Sequence, residues 1–194
     1  GHVKAWVGDV DYDTWKYDNV HAMHQPGSTF KLFVYSAAME HGMAPCIHRR
    51  DEMFDTVVLI KKTNEMEHWR PTNANGQFSG ADVTLRTAFA QSLNSIAVRV
   101  ALDVGIPIVA QTARDMGVKS ELEETPAMAL GASDVNLLEL VNSFCTVAND
   151  GKHHDPVLVT RIIDRDGNEV FRAPADTEQA ITYRTAFFMQ QMLM

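Results

Sequence analysis

Ser28-Thr29-Phe30-Lys31, led in by Gln25-Pro26-Gly27, sets a hydroxyl and an amine three residues apart. On a helix that spacing puts both on one face, so the amine can reach the hydroxyl without help from a distant loop. The chemistry this permits is acyl transfer, with a serine nucleophile and a lysine base. Pro26 and Gly27 interrupt any earlier element and place Ser28 at or near a helix N-terminus. Free backbone N–H groups and the positive end of the dipole favour a developing oxyanion there. The four residues alone fit a capping serine and a solvated lysine equally well. A second polar pair, Ser92-Leu93-Asn94, lies between two runs of helical apolar spacing, and a loop tip there can project a hydroxyl and an amide into a cleft.

These groups depend on the elements that carry them. The helix from Ser28 to His41 is apolar at Phe30, Phe33, Val34, Ala37 and Ala38 and stops at Gly42. It is expected at the buried centre, where a lysine is costly unless hydrogen-bonded. The turn-rich segment from Trp69 to Gly80 leads into a helical run at Val83 to Gln91, and Ile96 to Val104 forms the next, closed by Gly105. Pro107 opens and Gly117 closes a further helix, Leu137 to Asn149 makes another, and Gln179 to Met194 the last. Strands are expected within residues 1 to 10, at Asn19 to Met23 and around Thr56 to Ile60 in an otherwise irregular stretch from 43 to 82. A hairpin is expected from Pro156 to Ile163 and Glu169 to Phe171, and Trp15 with Tyr17 reads as hairpin packing.

The composition bounds the rest. A chain of 194 residues, 45% hydrophobic and 22% charged, can bury one substantial core, and it reads as one domain over residues 1 to 194. No apolar run approaches the roughly 18 residues of a membrane span, and no signal peptide is read at the start. A net charge of −8 without a basic face argues against nucleic acid and an anionic membrane surface as partners. Cys46 and Cys145 have no metal-ligand spacing. Pairing in an oxidising compartment is open to them, but Cys145, in an apolar helical run, is expected as a buried free thiol. His153-His154 before Pro156 is a poor chelate, so no metal and no cofactor is expected.

Taken in order, the motifs carry a resemblance. Ser-x-x-Lys at Ser28 to Lys31, Ser-x-Asn at Ser92 to Asn94, the Trp69-Arg70-Pro71-Thr72-Asn73 pattern, and Gly80 ahead of Thr84-Leu85-Arg86-Thr87-Ala88 resemble the transpeptidase domain of class A, bifunctional penicillin-binding proteins. Residues 1 to 8 look like that domain's opening strand. Pro126 to Ala132 and Ala148-Asn149-Asp150-Gly151 look like its later helical landmarks.

The resemblance implies an α+β fold of the penicillin-binding-protein and serine β-lactamase type, an antiparallel sheet flanked by helices plus a helical subdomain. It also implies a third motif, Lys-Thr/Ser-Gly, which the sequence does not contain. Lys62-Thr63-Asn64 comes nearest, lacks the glycine, and reads as an exposed loop. The chain is therefore expected to be the N-terminal two-thirds of such a domain, with open sheet edges that invite self-association.

By the same resemblance, Ser28 is the nucleophile, Lys31 the general base with a pKa depressed by burial and nearby positive charge, Ser92 the proton relay, and Asn94 the group that holds the substrate amide and steadies Lys31. The implied partners are peptidoglycan stem peptides and β-lactams. The implied setting is the periplasmic face of a bacterial inner membrane, with an anchor and glycosyltransferase domain upstream. A serine β-lactamase and a non-enzymatic β-lactam sensor or scaffold are the rival readings. Against the first, no Glu-x-x-Leu-Asn pattern is present, and Glu139 falls on a packed helix.

Overall fold

The computed structural model describes residues 1–11, 13–14, 16–60 and 65–194, so the readings of Lys62-Thr63-Asn64 and of Trp15 lie outside it. In chain order the elements are β1 (Met23–His24), a 3₁₀ turn (Gly27–Phe30) running into α1 (Lys31–Glu40), β2 (His48–Arg50), β3 (Thr56–Ile60), β4 (Glu65–Trp69), β5 (Asp82–Thr84), α2 (Leu85–Ala90), α3 (Asn94–Val104) and α4 (Ile106–Asp115). A second 3₁₀ turn (Pro126–Leu130) precedes β6 (Val135–Asn136), α5 (Leu137–Ala148), β7 (Lys152–His153), β8 (Arg161–Ile163), β9 (Glu169–Arg172), β10 (Glu178–Gln179) and α6 (Tyr183–Leu193).

Helix α1 is the axis of the core. The sequence shows one apolar face, but the structure buries the helix all round, Leu32, Tyr35 and Met39 included, because α3, α4 and α6 all pack on it. Each large apolar side chain buried there contributes about 1.5–3 kcal/mol. The helix ends where Gly42 takes φ +88°, which lets the Met43 N–H reach back to the Ala38 carbonyl at 2.9 Å. Helices α2 and α6 open on threonine caps: Thr84 accepts from the Thr87 N–H and Thr182 from the Thr185 N–H.

The β structure differs from the expected sheet. Among the described residues the strands form five separate antiparallel pairs, β1–β6, β2–β5, β3–β4, β7–β10 and β8–β9, with no broad sheet. Residues 1 to 10 do not form the expected strand: their ladder contact is a single parallel bridge, His2 to Val157. A strand exists only through its partners, and alternation alone does not supply them. Asn19 to Ala22 is a turn, with pairing delayed to β1. The stretch read as irregular holds the β3–β4 pair, Thr56 opposite Trp69, and residues 178–179 pair with β7 before α6 begins.

Cys145 is exposed rather than buried, and both cysteines are free thiols. Helix α5 turns Asn142, Ser143, Thr146 and Val147 inward, which leaves Leu137, Val141 and Cys145 on the opposite stripe. Among the described residues no single helix is long and apolar enough to cross a membrane.

Candidate active site

Ser28 sits in the first turn of the 3₁₀ helix, where N–H groups have no helical acceptor, and Lys31 begins α1. The approach to Ser28 is braced by the β1–β6 pair and by the Gln25 side-chain amide, which donates to the Ala132 carbonyl at 3.2 Å. Gly27 takes φ +56°, and Gly131 of the second 3₁₀ turn lies so close that a Cβ on it would fall 2.2 Å from the Gly27 carbonyl oxygen. The nucleophile's backbone is thus packed on the Pro126-to-Ala132 landmark.

The second polar pair comes from the α2–α3 junction. The Leu93 N–H donates to the Ala88 carbonyl and the Ser92 N–H to that of Phe89, both at 2.9 Å, the pattern that closes a helix through a left-handed residue. That residue is Ser92, at φ +54°, where glycine is the usual occupant. A serine there costs about 1–2 kcal/mol of backbone strain. Strain kept at a polar side chain marks a position whose hydroxyl matters.

All four groups meet at the Lys31 ammonium nitrogen. Lys31 is 1% exposed, and its Nζ donates to Ser28 Oγ at 3.0 Å, to the Ser92 carbonyl and Oγ at 2.8 Å each, and to Asn94 Oδ1 at 2.6 Å. The Asn94 amide orientation is fixed because its Nδ2 donates to the Thr72 carbonyl at 2.8 Å. Two of the four acceptors, the Ser92 carbonyl and Asn94 Oδ1, can only accept, whereas the two hydroxyls can also donate. A neutral amine satisfies this set: its two N–H groups go to the obligate acceptors, and its lone pair faces the hydroxyls. Burial pulls the Lys31 pKa down from 10.5 to about 8. Desolvation alone accounts for that shift, and the nearby positive charge expected from the sequence does not contribute.

The sequence reading assigned no part to two residues behind this cluster. Asp51 is 2% exposed. Its Oδ1 accepts from Ser95 Oγ at 2.7 Å and Asn73 Nδ2 at 2.9 Å, and its Oδ2 from the Ser79 N–H at 2.8 Å and Ser79 Oγ at 2.9 Å. Burial would raise its pKa, but the donors from Ser79, Ser95 and Asn73 outweigh it and hold the carboxyl below its usual value. Asn73 stood within the Trp-x-Pro-x-Asn pattern without a role, whereas nothing local singles out Asp51. Elsewhere, Glu139 is fully engaged at the start of α5, accepting from Ser120 Oγ and N–H and from Asn136 Nδ2. His153 faces Thr146, while His154 lies beside the Asp155 and Pro174 carbonyls.

A buried lysine base, a serine one helical turn before it, and a serine–asparagine pair brought from a separate helix junction define a serine–lysine acyl-transfer site. The family described as the penicillin binding protein transpeptidase domain matches residues 1–194, and the chain belongs to that family. Penicillin-binding protein 1A of Rickettsia typhi is 38% identical over 174 residues, which is 89% of this chain and 21% of that protein. Penicillin-binding protein 2D of Bacillus subtilis is 31% identical over 194 residues, 100% of this chain and 28% of that protein. The chain therefore spans between a fifth and a third of the length of these relatives. Among solved structures, penicillin-binding protein 1A from Haemophilus influenzae superposes with a TM-score of 0.82 at 24% identity, over 96% of this chain and 32% of that one. PonA1 from Mycobacterium tuberculosis in complex with penicillin V gives 0.77 at 22%, over 91% and 48%. The α+β fold is that of penicillin-binding transpeptidase domains.

Proposed function

We propose that the chain is the nucleophile-bearing part of a peptidoglycan D,D-transpeptidase domain that β-lactams acylate. The observation that carries this reading is the four-way convergence on Lys31 Nζ. Ser28 Oγ attacks the carbonyl of the penultimate D-alanine of a stem peptide and passes its proton to the Lys31 amine. The Ser28 N–H faces the developing oxyanion. Ser92 Oγ, in contact with the protonated Lys31, relays a proton to the leaving D-alanine nitrogen as the C–N bond breaks. The acyl-enzyme is then taken by an amine of a neighbouring stem, which returns a proton to Ser28 by the same route. Asn94 holds Lys31 through Oδ1; one N–H of its amide is engaged with Thr72, and the other is left for the substrate backbone.

The expected setting is the periplasmic face of a bacterial inner membrane, within a longer anchored protein that also carries a glycosyltransferase domain. Residues 1–194 are then part of its transpeptidase domain, and the Lys-Thr/Ser-Gly segment of the family pattern completes the cleft. Glu139 is held by Ser120 and Asn136 and is not poised to activate a hydrolytic water, which favours transpeptidase over β-lactamase. Labelled penicillin applied to the full-length protein tests the proposal. Ser28→Ala should abolish covalent labelling while the fold persists, and transpeptidation of lipid-linked substrate should accompany labelling in the wild type. Labelling that survives Ser28→Ala would remove the nucleophile, rapid release of the label would indicate a β-lactamase, and labelling without transpeptidation a sensor.

A further inference from the structure

The Trp-x-Pro-x-Asn segment is not part of the proton inventory above, yet its last two residues hold the machinery in place. Helix α3 has no cap of its own, since Leu93 at its N-cap offers no polar side chain. The missing acceptor comes from across the fold: Asn73 Oδ1 receives the Asn94 N–H at 2.9 Å and the Ser95 N–H at 3.2 Å. The neighbouring Thr72 carbonyl takes the Asn94 Nδ2. Residues 72 and 73 thus grip Asn94 by its backbone and its side chain together, and the remaining oxygen of that side chain reaches Lys31 Nζ at 2.6 Å.

Asn73 is itself held in one orientation. It is 6% exposed, and its Nδ2 donates to Asp51 Oδ1 at 2.9 Å and to the Gln77 carbonyl at 3.0 Å. Flipping the amide would set donors against the Asn94 and Ser95 N–H groups on one side and leave Asp51 without a donor on the other. Asp51 also ties Ser95, the second residue of α3, to the loop at Ser79. The carboxylate therefore fixes the Asn73 amide, and through it the start of α3.

We infer that Asn73, oriented by buried Asp51, is a positioning residue for the acylation step: it sets the Asn94 carboxamide against Lys31 so that the amine's lone pair faces Ser28. This rests on the serine–lysine transpeptidase reading. A displacement of Asn94 by about 1 Å is enough to cost on the order of a hundredfold in rate.

The test uses the full-length protein, with fluorescent penicillin as probe and both the limiting acylation rate and its half-saturating concentration measured across pH. In Asn73→Ala the limiting rate should fall by roughly a hundredfold. Half-saturation should change little, the pH inflection should move from its wild-type position, and the protein should remain folded at the assay temperature. Asp51→Asn keeps the shape of the side chain but faces at least one donor with another, and it should show the same two kinetic changes. Should Asn73→Ala fail to fold, Asp51→Asn decides on those readouts. Wild-type rate and inflection in the folded variants would overturn the inference, and failure of both to fold would overturn it in favour of a purely scaffolding role. A wild-type protein that penicillin does not label at Ser28 would instead overturn the transpeptidase reading beneath it.

Discussion

At the scale of single residues, Lys31 carries the pH dependence. Its pKa of about 8 against an ordinary 10.5 means that the folded state gives up this proton before the unfolded state does. Penicillin acylation should therefore rise through pH 8 and level off above it. Stability should also rise with pH between about 8 and 10.5, by about 3 kcal/mol in all, as the cost of a buried ammonium is relieved. Buried Tyr35 acts in the opposite sense above pH 10, where burial keeps its phenol protonated after the unfolded chain has ionised. Urea midpoints at pH 7.5 and 9.5 isolate the lysine term, and Lys31→Met should flatten the difference between them. Ser92 offers a second check. Ser92→Gly removes about 1–2 kcal/mol of left-handed strain and returns up to about 1 kcal/mol as freedom of the unfolded chain, so the melting temperature should hold or rise. Losing the relay hydroxyl should meanwhile slow acylation on the order of a hundredfold or more. A fall in stability with unchanged rate would assign Ser92 to the scaffold. Ser28 with Lys31 was legible because the pair is local, one helical turn long. Ser92 and Asn94 were legible as a motif between helices, whereas Asp51 was not, since its four partners are joined to it only by the folded chain.

Among the elements, helices showed in the sequence because period, caps and stop glycines all lie within the segment. Gly42 and Gly105 end α1 and α3 where they were expected to. The short strands were not legible for the converse reason: β1 has two residues, and its partner β6 follows the second 3₁₀ turn, so neither carries enough pattern to announce the pair. That pair and the two 3₁₀ turns brace the nucleophile. Gly131, at φ +75°, should tolerate no side chain, because a Cβ would press on the Gly27 backbone immediately before Ser28. Gly131→Ala combines left-handed strain with overpacking and should cost about 2–5 kcal/mol. Chemical denaturation measures that cost. In any folded population the penicillin acylation rate should also drop, because the shift is delivered to Gly27. A variant of wild-type stability would mean that the two turns can part without consequence.

For the whole molecule, the question is how much of an acyl-transfer cleft these 194 residues supply. The nucleophile, its base, the relay and the amide are in contact through the core helices α1 and α3, so the proton-handling half of the site is built. The oxyanion half has the Ser28 N–H but no Lys-Thr/Ser-Gly segment, because the sequence contains none. A missing oxyanion donor costs about 3 kcal/mol, a hundredfold or more in rate. Several large apolar side chains also stand exposed, among them Val10, Leu158, Val170 and Phe171, and these rather than an open strand along residues 3–7 are the groups on which self-association would rest. The 194-residue chain should accordingly acylate with penicillin at least about a hundredfold more slowly than a longer form of the protein that includes a Lys-Thr/Ser-Gly segment. It should also sediment with a concentration-dependent increase in mass that the longer form lacks. Equal acylation rates in the two forms would show that the four groups around Lys31 suffice, and that no second oxyanion donor is needed for the acyl bond to form.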